Sequence, residues 1–490
     1  MFQTTTPESM GVSSKNILSF IKTLEEYGLC THSIIMTKGN NILTECYYKP
    51  IDEKFNHRMY SISKSFVSVA VGMAITEGLL TLEDKLVSFF PEYRNENTDE
   101  LYEETSIRDM LTMSSNVASF VDWWGIYDDR IKSYYANKST QIPGTMFFYD
   151  SVGSYVLGCV IEKLTGKTFL DYLKEKVLLE IGFSKESHTI FTPEGHTFGD
   201  SGVVCTSRDL LLFARLVMNL GEYNGKQYID RDYMKQAISN QTDNDIDCGF
   251  AIWRKCGYGY LIWQAPNNGF AFVGMGDQLA ICDTKNDFIF VITSDNQIDP
   301  ATSITLIYHE LYKTVINNIE NKPLPENPDE YNNLIEHTKK CYLVTQRGKI
   351  HSKWEEFVNG KKYILNENPM GIKYFKLCLN NDGGVFEFEN SGGIRYLKFG
   401  LCKNVTDKFP DDERISNIAS KYEKGQYNCA TSAAWTFENK FVIKSQIIDT
   451  FFGSLNIQLA FKDNRVTVLM KKSGQYMLEK LDGYAIGIVE

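Results

Sequence analysis

Metal-binding patterns are lacking in this sequence. Its 490 residues include only seven histidines, and neither His-Glu-x-x-His nor Cys-x-x-Cys occurs. Such patterns place several ligands close together, as tight zinc sites usually require. We therefore expect no metal ion and no other cofactor.

An excess of positive charge is also lacking. The formal net charge is −11, from 51 basic and 62 acidic residues, whereas nucleic-acid-binding domains present a basic surface. The longest apolar run, Phe66 to Ile75, is too short to span a bilayer. Neither nucleic acid nor a membrane is expected as a partner.

An export signal is not evident either. The first residues, Met1 to Thr6, lack a basic segment followed by an apolar one. The eleven cysteines, an odd number without a pairing pattern, are typical of reduced thiols. The sequence predicts a cytoplasmic protein and leaves its oligomeric state open.

Two common enzyme motifs are missing. The hydrolase elbow Gly-x-Ser-x-Gly does not occur, and its nearest approximation is Gly199-Asp200-Ser201-Gly202. Gly166-Lys167-Thr168 resembles the end of a phosphate loop, but Ile161 replaces the first glycine and a helix precedes it. We interpret that segment as the end of a helix.

A serine and a lysine three residues apart are present at the start of an apolar segment. Ser61 and Lys64 precede the run from Phe66 to Ile75, which is apolar nearly all round and predicts a buried helix. Residues three apart share a helix face, so the Lys64 amine can reach the Ser61 hydroxyl. Free backbone N–H groups also converge at a helix start. The pattern predicts a nucleophile, a base and an oxyanion site.

The same spacing occurs a second time, at Ser19 and Lys22. That copy lies inside an amphipathic run without a helix start beside it, so we interpret it as part of a surface face. A snorkelling lysine at a helix end remains the alternative for Lys64.

Tyr149-Asp150-Ser151 stands before a second apolar segment, which ends at Gly166. Tyr149 is a candidate proton-transfer residue. Ser151 is a candidate for substrate binding, although Asp150 and Ser151 fit a helix N-cap equally well.

A glycine-rich strand provides a third candidate element. Gly274, Gly276 and Asp277 lie in the segment Phe270 to Gln278, whose glycines permit the close backbone approach that an oxyanion hole needs. The following runs predict a hairpin with a turn at 283–287. The alternative is a strand that contains a bulge.

In their order along the chain, these motifs resemble those of the serine β-lactamase and penicillin-binding-protein superfamily, in particular its class C-like esterase and peptidase branch. Tyr60 to Phe66 resembles the Ser-x-x-Lys motif, and Tyr149-Asp150-Ser151 resembles Tyr-x-Asn. The resemblance, which extends over about residues 5–315, implies a catalytic Ser61, Lys64 and Tyr149.

The sequence departs from this family pattern at two places. Ser151 replaces the usual asparagine, and the third motif, around Gly274 to Gly276, lacks its cation. Both departures disfavour antibiotic hydrolysis and favour a neutral acyl substrate. Trp123 and Trp124 lie where the family builds one wall of its cleft, although such aromatic clusters also pack loops onto a core.

Three prolines within six residues, Pro323 to Pro328, indicate a boundary. We predict an α+β fold in which residues 1–320 form a β-lactamase/transpeptidase-like domain, with an antiparallel sheet flanked by helices. A linker at 321–335 and a small antiparallel β-barrel at 336–490 follow. The barrel resembles the lipocalin-like domains of some family members. Its predicted strands are Lys361–Leu365, Ile372–Leu379, Val385–Glu389, Ile394–Phe399, Trp435–Phe437, Phe441–Ile448, Leu455–Phe461 and Val466–Met470.

The expected function is acyl transfer from a small-molecule ester or amide through an acyl-Ser61 intermediate, as in an esterase, amidase, peptidase or acyltransferase. The alternative is a non-catalytic binder or sensor that keeps the fold. The sequence does not name the acyl group or decide between water and an amine as the acceptor.

Overall fold

The structure is a computed structural model that describes residues 2–94, 98–117, 129–244, 256–411, 413–415, 422–474 and 477–490. The chain divides into two compact units. The first contains Met1–Tyr342, and the second takes most of Leu343–Glu490. No helix in the described part of the chain is both long and apolar enough to cross a membrane.

The helices of the described residues differ widely in length. They are α1 (Ser14–Glu26), α2 (Ile62–Thr76), α3 (Leu101–Glu104), α4 (Ile107–Leu111), α5 (Arg130–Tyr135), α6 (Ser151–Thr165), α7 (Phe169–Leu173), α8 (Ser207–Met218), α9 (Arg231–Ala237), α10 (Pro300–Glu310), α11 (Pro328–Thr338) and α12 (Glu355–Val358).

The strands of the first unit are β1 (Gln3–Thr4), β2 (Thr31–Lys38), β3 (Asn41–Tyr47), β4 (His57–Arg58), β5 (His188–Thr189), β6 (Val203–Cys205), β7 (Glu222–Tyr223), β8 (Lys226–Gln227), β9 (Trp263–Ala265), β10 (Gly269–Gly274), β11 (Gln278–Asp283) and β12 (Phe288–Ser294). Those of the second are β13 (Lys362–Leu365), β14 (Tyr374–Leu379), β15 (Gly383–Asn390), β16 (Gly393–Leu401), β17 (Val405–Lys408), β18 (Glu413–Ile415), β19 (Tyr422–Lys424), β20 (Asn428–Phe437), β21 (Lys440–Ile447), β22 (Gly453–Lys462), β23 (Arg465–Ser473) and β24 (Gly483–Val489).

A seven-stranded sheet organises the first unit, in the order β1-β3-β2-β12-β11-β10-β9. All pairings are antiparallel except that of β1 with β3. Strands β10, β11 and β12 are buried along their whole length, because helices cover a sheet of this kind on both faces. The predicted antiparallel sheet flanked by helices is confirmed.

Helix α2 is the most buried helix of the first unit. Every residue from Ile62 to Ala74 is buried, as its apolar composition predicts. Phe66 stacks on Phe213 of α8 at a centroid distance of 3.7 Å. The position of Ser61 is therefore set by a helix that the core holds rigidly.

A small sheet, β4-β6-β5, lies next to the start of α2. Its register pairs Arg58 with Val204, three residues before Ser61. The Met59 N–H extends this pairing by donating to the Val203 carbonyl at 2.8 Å. The chain thus enters α2 from a strand rather than from a loose loop.

The second unit is built around a closed β-barrel. Its strands follow the order β16-β15-β14-β13-β24-β23-β22-β21-β20-β17, and a pairing between β16 and β20 closes the circle. The closing pair is parallel, at Gly400 with Ser432 and Leu401 with Ala433. The predicted C-terminal β-barrel is confirmed. Its likeness to lipocalins stays a prediction.

The division between the units differs from the predicted limits of 320, 321–335 and 336. Helix α11 belongs to the first unit, and the second begins at Leu343. Leu334 of α11 is fully buried, so this amphipathic helix packs onto a core instead of acting as a linker. Proline marks the start of α11, where a fixed φ suits the first helical position.

Candidate active site

Ser61 and Lys64 meet at the start of α2. Ser61 is half-buried, and the Lys64 Nζ donates to its Oγ at 3.1 Å. Lys64 is only 1% exposed, so its amine is directed into the site and does not snorkel to solvent. The structure brings the two residues together as their spacing predicts.

The backbone before Ser61 has an unusual conformation. Tyr60 has a φ of 48°, a region that non-glycine residues seldom adopt. The Ser63 hydroxyl stabilises this turn, because it donates to the Tyr60 carbonyl and accepts from the Val203 N–H at 2.9 Å. Such conformations persist only where surrounding contacts enforce them, and they are common at catalytic residues.

Asp200 supplies the second contact of Lys64. The Lys64 Nζ donates to the main-chain carbonyl of Asp200 at 2.9 Å. The Asp200 carboxyl is buried, and its Oδ1 has no hydrogen-bond partner among the described residues. Burial raises the pKa of Asp200 to about 6, although Lys64 and Arg58 act in the opposite direction. The lysine therefore has a buried acidic neighbour.

Arg58 holds the Asp200 segment in place. Its guanidinium donates to the Ser201 carbonyl and hydroxyl, both at 3.0 Å, and lies 4.3 Å from the centroid of the Tyr60 ring. One buried side chain thus connects the strained turn before Ser61 to the segment that contacts Lys64.

Tyr149 lies on the other side of Lys64. The Lys64 Nζ is 5.1 Å from the centroid of the Tyr149 ring. The ring stacks on Trp263 of β9 at 5.4 Å, and Phe147 and Tyr258 pack against the same indole. These four side chains form an aromatic cluster whose Tyr149 ring lies next to the Lys64 amine.

Asp150 caps α6. Its carboxylate accepts the backbone N–H groups of Val152 at 2.8 Å and Gly153 at 2.9 Å. Burial raises the pKa of Asp150 to about 6, against the lowering effect of these two hydrogen bonds. The capping role predicted for this position therefore belongs to Asp150. Ser151 follows as the first residue of the helix and is half-buried.

Gly274 brings the end of β10 against the backbone before Ser61. A Cβ at Gly274 would lie 2.3 Å from the Met59 carbonyl oxygen, so a larger residue does not fit without a shift. Gly276 and Asp277 form the turn into β11, with φ values of 75° and 65°. The predicted hairpin of β11 and β12 is confirmed by the pairing of Leu279 with Ile292.

Side-chain hydrogen bonds fix the turn that contains Gly276. The Gln278 side chain donates to the carbonyls of Met275 and Ser294 and accepts the Ser294 N–H. The Asp277 carboxylate accepts from Asn296 at 2.9 Å, and burial raises the pKa of Asp277 to about 7. The backbone N–H groups that follow Gly274 and Gly276 are thereby held in fixed orientations.

Two predicted site residues, Trp123 and Trp124, lie outside the described residues. Three residues that the sequence did not single out, Arg58, Asp200 and Trp263, do contact the site. Asp200 belonged to a segment noted only as an incomplete hydrolase elbow, and its contact uses a main-chain atom. Trp263 had one available signal, because its strand directly precedes the glycine-rich strand.

The sequence matches a family model described as Beta-lactamase over residues 20–307. This range contains Ser61, Lys64, Tyr149 and the glycine-rich turn. It covers more than half of the chain and ends before α11.

The chain is also similar to three known proteins. The 6-aminohexanoate-dimer hydrolase of Paenarthrobacter ureafaciens is 21% identical over 296 residues, which cover 56% of this chain and 74% of that protein. The N-acetylmuramyl-L-alanine amidase of Bacillus subtilis (strain 168) is 24% identical over 308 residues, covering 50% and 68%. The solved structure of EstCE1, described as a hydrolase with promiscuous acyltransferase activity, aligns with a TM-score of 0.51 at 13% identity and covers 62% and 99%.

Proposed function

Because the chain belongs to the β-lactamase family, we propose that it is a hydrolase that cleaves a small ester or amide through an acyl-Ser61 intermediate. The observation that carries this proposal is the 3.1 Å hydrogen bond between a buried Lys64 and the Ser61 hydroxyl. A surface Ser-x-x-Lys pair would not be enclosed in this way, and Ser19 and Lys22 of α1 are indeed exposed.

The proposed reaction begins with attack of Ser61 Oγ on the substrate carbonyl. The Ser61 proton passes to the Lys64 amine, which acts as general base and also donates to the Asp200 carbonyl. Tyr149 then gives its hydroxyl proton to the leaving alcohol or amine as the tetrahedral intermediate collapses, and Lys64 passes the proton it took from Ser61 back to Tyr149. Water attacks the acyl-enzyme in the second half and releases the acid and the Ser61 hydroxyl.

The oxyanion would bind to backbone N–H groups. One donor is Ser61 at the helix start, and the second is the residue after Gly274 or after Gly276. The contact between Gly274 and the Met59 carbonyl supports this arrangement, since it brings the turn beside the nucleophile. Each such donor contributes about 10² to 10³ in rate.

The lining of the site favours a neutral, partly apolar acyl group. The strand β10 reads Gly-Phe-Ala-Phe-Val-Gly and offers no cation, whereas Trp263, Tyr149 and Phe147 offer aromatic faces. Relatives named as an amidase and as a 6-aminohexanoate-dimer hydrolase support amide cleavage. The acyltransferase activity ascribed to EstCE1 supports transfer to a second acceptor as well.

We expect the enzyme to work in a reducing compartment such as the cytoplasm. No disulfide joins the ten cysteines that the structure describes. This agrees with thiols that are kept reduced.

The decisive experiment is covalent labelling read by intact mass. Wild type, Ser61→Ala and Ser19→Ala are treated with a serine-reactive fluorophosphonate and, separately, with a penicillin. We expect the fluorophosphonate to label wild type and Ser19→Ala once and to leave Ser61→Ala unlabelled. Ser19 is the matched control because it occupies the second Ser-x-x-Lys sequence on an exposed helix face.

Other outcomes would change the proposal. If neither reagent labels wild type, the non-catalytic binder becomes the better interpretation. If penicillin forms an adduct with Ser61, the preference for a neutral substrate is wrong, since a penicillin carries a carboxylate.

A further inference from the structure

A thiol, an imidazole and a carboxylate converge in the first unit, away from Ser61. Glu25 lies in the last turn of α1, His337 in the last turn of α11, and Cys341 three residues after that helix. One ligand atom from each residue lies within 4.8 Å of the other two. We call this group the Glu25–His337–Cys341 cluster.

The chain holds these three residues together by contacts outside the cluster. The Leu334 side chain of α11 is fully buried, which fixes the helix that carries His337. The Cys341 carbonyl accepts the Lys49 N–H at 3.0 Å, and Lys49 forms a parallel bridge with Tyr342. The cluster is therefore a fixed feature of the packing and not a chance encounter of long surface side chains.

We propose that the Glu25–His337–Cys341 cluster is a zinc site that fastens the end of the first unit to α1. The three donor types, carboxylate, imidazole and thiolate, form a set that suits zinc. Calcium and magnesium prefer oxygen ligands alone.

The distances are close to those around a tetrahedral ion. Zinc–ligand bonds of 2.0–2.3 Å place two ligand atoms about 3.3–3.8 Å apart on the edges of a tetrahedron. The Cys341 Sγ lies 3.7 Å from Glu25 Oε1, and the His337 Nε2 lies 3.1 Å and 3.0 Å from the two Glu25 oxygens. His337 and Glu25 are therefore a few tenths of an ångström closer than a zinc tetrahedron requires, and the two side chains must move apart to admit the ion. Binding displaces the Cys341 thiol proton to solvent, and the hydrogen that His337 Nε2 shares with Glu25 moves to Nδ1 so that Nε2 is free to ligate.

A second thiol interacts with Cys341. Cys46 of β3 is buried, and its side chain interacts with that of Cys341. The ion would join α1 to the segment after α11. These lie up to 316 residues apart in the sequence.

A second group of this composition, Cys159, Glu162 and His196, is less suitable. Both Glu162 oxygens already accept hydrogen bonds, one from the Thr197 N–H at 2.8 Å and the other from His196 at 2.7 Å. Glu25 also accepts hydrogen bonds, from the Tyr48 hydroxyl at 3.0 Å and from His337, so the two groups differ instead in the Cys46 thiol beside Cys341. The second group therefore serves as an internal comparison.

The test measures zinc in the full-length protein. Wild type, His337→Gln, Cys341→Ser and His196→Gln are stripped with a chelator under reducing conditions, given Zn²⁺ alone and freed of excess metal by gel filtration. The zinc content per chain is then quantified by elemental mass spectrometry. We expect one zinc per chain in wild type and His196→Gln, and a loss of at least tenfold in retained zinc in the other two.

Two further readouts keep the result interpretable if a variant folds poorly. Co²⁺ in place of zinc should give a thiolate charge-transfer absorption in wild type that Cys341→Ser lacks. Zinc should raise the Tm of wild type and leave that of His337→Gln unchanged, because only a ligand of the folded state shifts the transition. Fluorophosphonate labelling of Ser61, which lies outside the cluster, reports folding of each variant.

Three outcomes would overturn the proposal. These are the absence of stoichiometric zinc from wild type, equal zinc in wild type and both cluster variants, and a Cys46–Cys341 disulfide in protein that binds no metal. The last would make the two thiols a redox pair instead.

Discussion

At the scale of single residues, the environment of Lys64 decides what it can do. Its amine donates to one hydroxyl and one main-chain carbonyl, and the residue is only 1% exposed. An amine held by two neutral acceptors is oriented without being tied to a carboxylate oxygen. This arrangement suits proton exchange with Ser61.

Tyr149→Phe should slow acylation by roughly 10² to 10⁴, the range usual for general acid–base help. The substitution keeps the ring that stacks on Trp263 and removes only the hydroxyl. The measurement is the rate of fluorophosphonate labelling, together with turnover of an activated ester.

Tyr258→Phe is the matched control for Tyr149. Tyr258 packs on the same indole, at 4.9 Å, and is 1% exposed. We expect its acylation rate to stay within a few-fold of wild type. Equal rates in wild type and Tyr149→Phe would remove Tyr149 from the mechanism.

Asp277→Asn should gain stability relative to wild type as pH rises. Burial raises the pKa of Asp277 to about 7 from 3.8, so the folded state binds this proton more tightly than the unfolded state. The wild-type free energy of unfolding therefore falls between pH 4 and 7, and the difference between variant and wild type should grow by roughly 2–3 kcal/mol from pH 5 to pH 8.

Denaturant unfolding at the two pH values measures this difference. Asp232→Asn is the control, since Asp232 is exposed on α9 and pairs with Lys235. Its difference from wild type should not increase with pH. A constant difference for Asp277→Asn would show that Asp277 ionises normally.

The contact between Ser61 and Lys64 could be predicted from the sequence. Ser61 directly precedes α2 and Lys64 lies in its first turn, so the helical period fixes their separation. Arg58, Asp200 and Trp263 could not be predicted in the same way. Asp200 lies 136 residues from Lys64, and long-range contacts bring its segment to the helix, namely the pairing of β4 with β6 and the hydrogen bonds of Arg58 and Ser63. Local periodicity contains no information on such a contact.

At the scale of elements, β10 and α2 depend on one glycine for their close approach. Gly274→Ala places a Cβ 2.3 Å from the Met59 carbonyl, and a backbone atom cannot move aside without displacing Ser61 or the turn. We expect acylation to slow by a factor on the order of 10², which corresponds to the loss of one oxyanion donor. The labelling rate measures this effect.

Gly158→Ala tests whether any added methyl group has the same effect. A Cβ there would meet its nearest atom, the Gly199 Cα, at 3.5 Å, an ordinary contact. Alanine also favours the helical conformation of α6. Normal acylation by Gly274→Ala would mean that β10 does not position the oxyanion site.

The barrel strands were predicted where apolar residues face the interior. Strands β17 and β24 were not predicted, and of β20 only Trp435–Phe437 was. The pattern of β24 is inverted. Tyr484, Ile486 and Ile488 are more than half exposed, and the inward positions hold Ala485 and Gly487. A side chain at Gly487 would meet Leu365 and Val466, so the interior needs a small residue there. Propensity alone cannot reveal this requirement.

At the scale of the whole molecule, the candidate site belongs to one unit and the barrel to the other. Ser61, Lys64, Tyr149 and the glycine turn all lie before Tyr342, where the first unit ends. Chains with two cores often unfold in more than one step. Damage to the barrel core should therefore be separable from loss of Ser61 reactivity.

Trp435→Ala tests this separation. Trp435 is 1% exposed, and its Nε1 donates to Glu355 at 3.1 Å. Truncating it should destabilise the barrel by roughly 3–5 kcal/mol. We expect one calorimetric transition to move to lower temperature while fluorophosphonate labelling of Ser61 stays at the wild-type rate.

Phe437→Ala is the control for the barrel, because Phe437 is 66% exposed and its removal leaves no cavity. Its transitions should coincide with those of wild type. Loss of Ser61 labelling in Trp435→Ala would mean that the site does not survive without an intact barrel.

The proposed zinc site extends the same argument about long-range contacts. The expectation of no metal considered ligands that stand close together in the sequence. Glu25, His337 and Cys341 share no motif, because the fold alone brings them together. That expectation stays a prediction, and the zinc measurement decides it.

The hydrogen bond from Lys64 to the Asp200 carbonyl has a consequence for the history of the site. A main-chain oxygen is present whichever amino acid stands at position 200, so mutation can exchange that side chain and leave the contact intact. Aligned sequences would then display variation at a position whose contribution has not changed. Homologues that share this arrangement are better recognised by superposing their backbones than by comparing their amino-acid sequences.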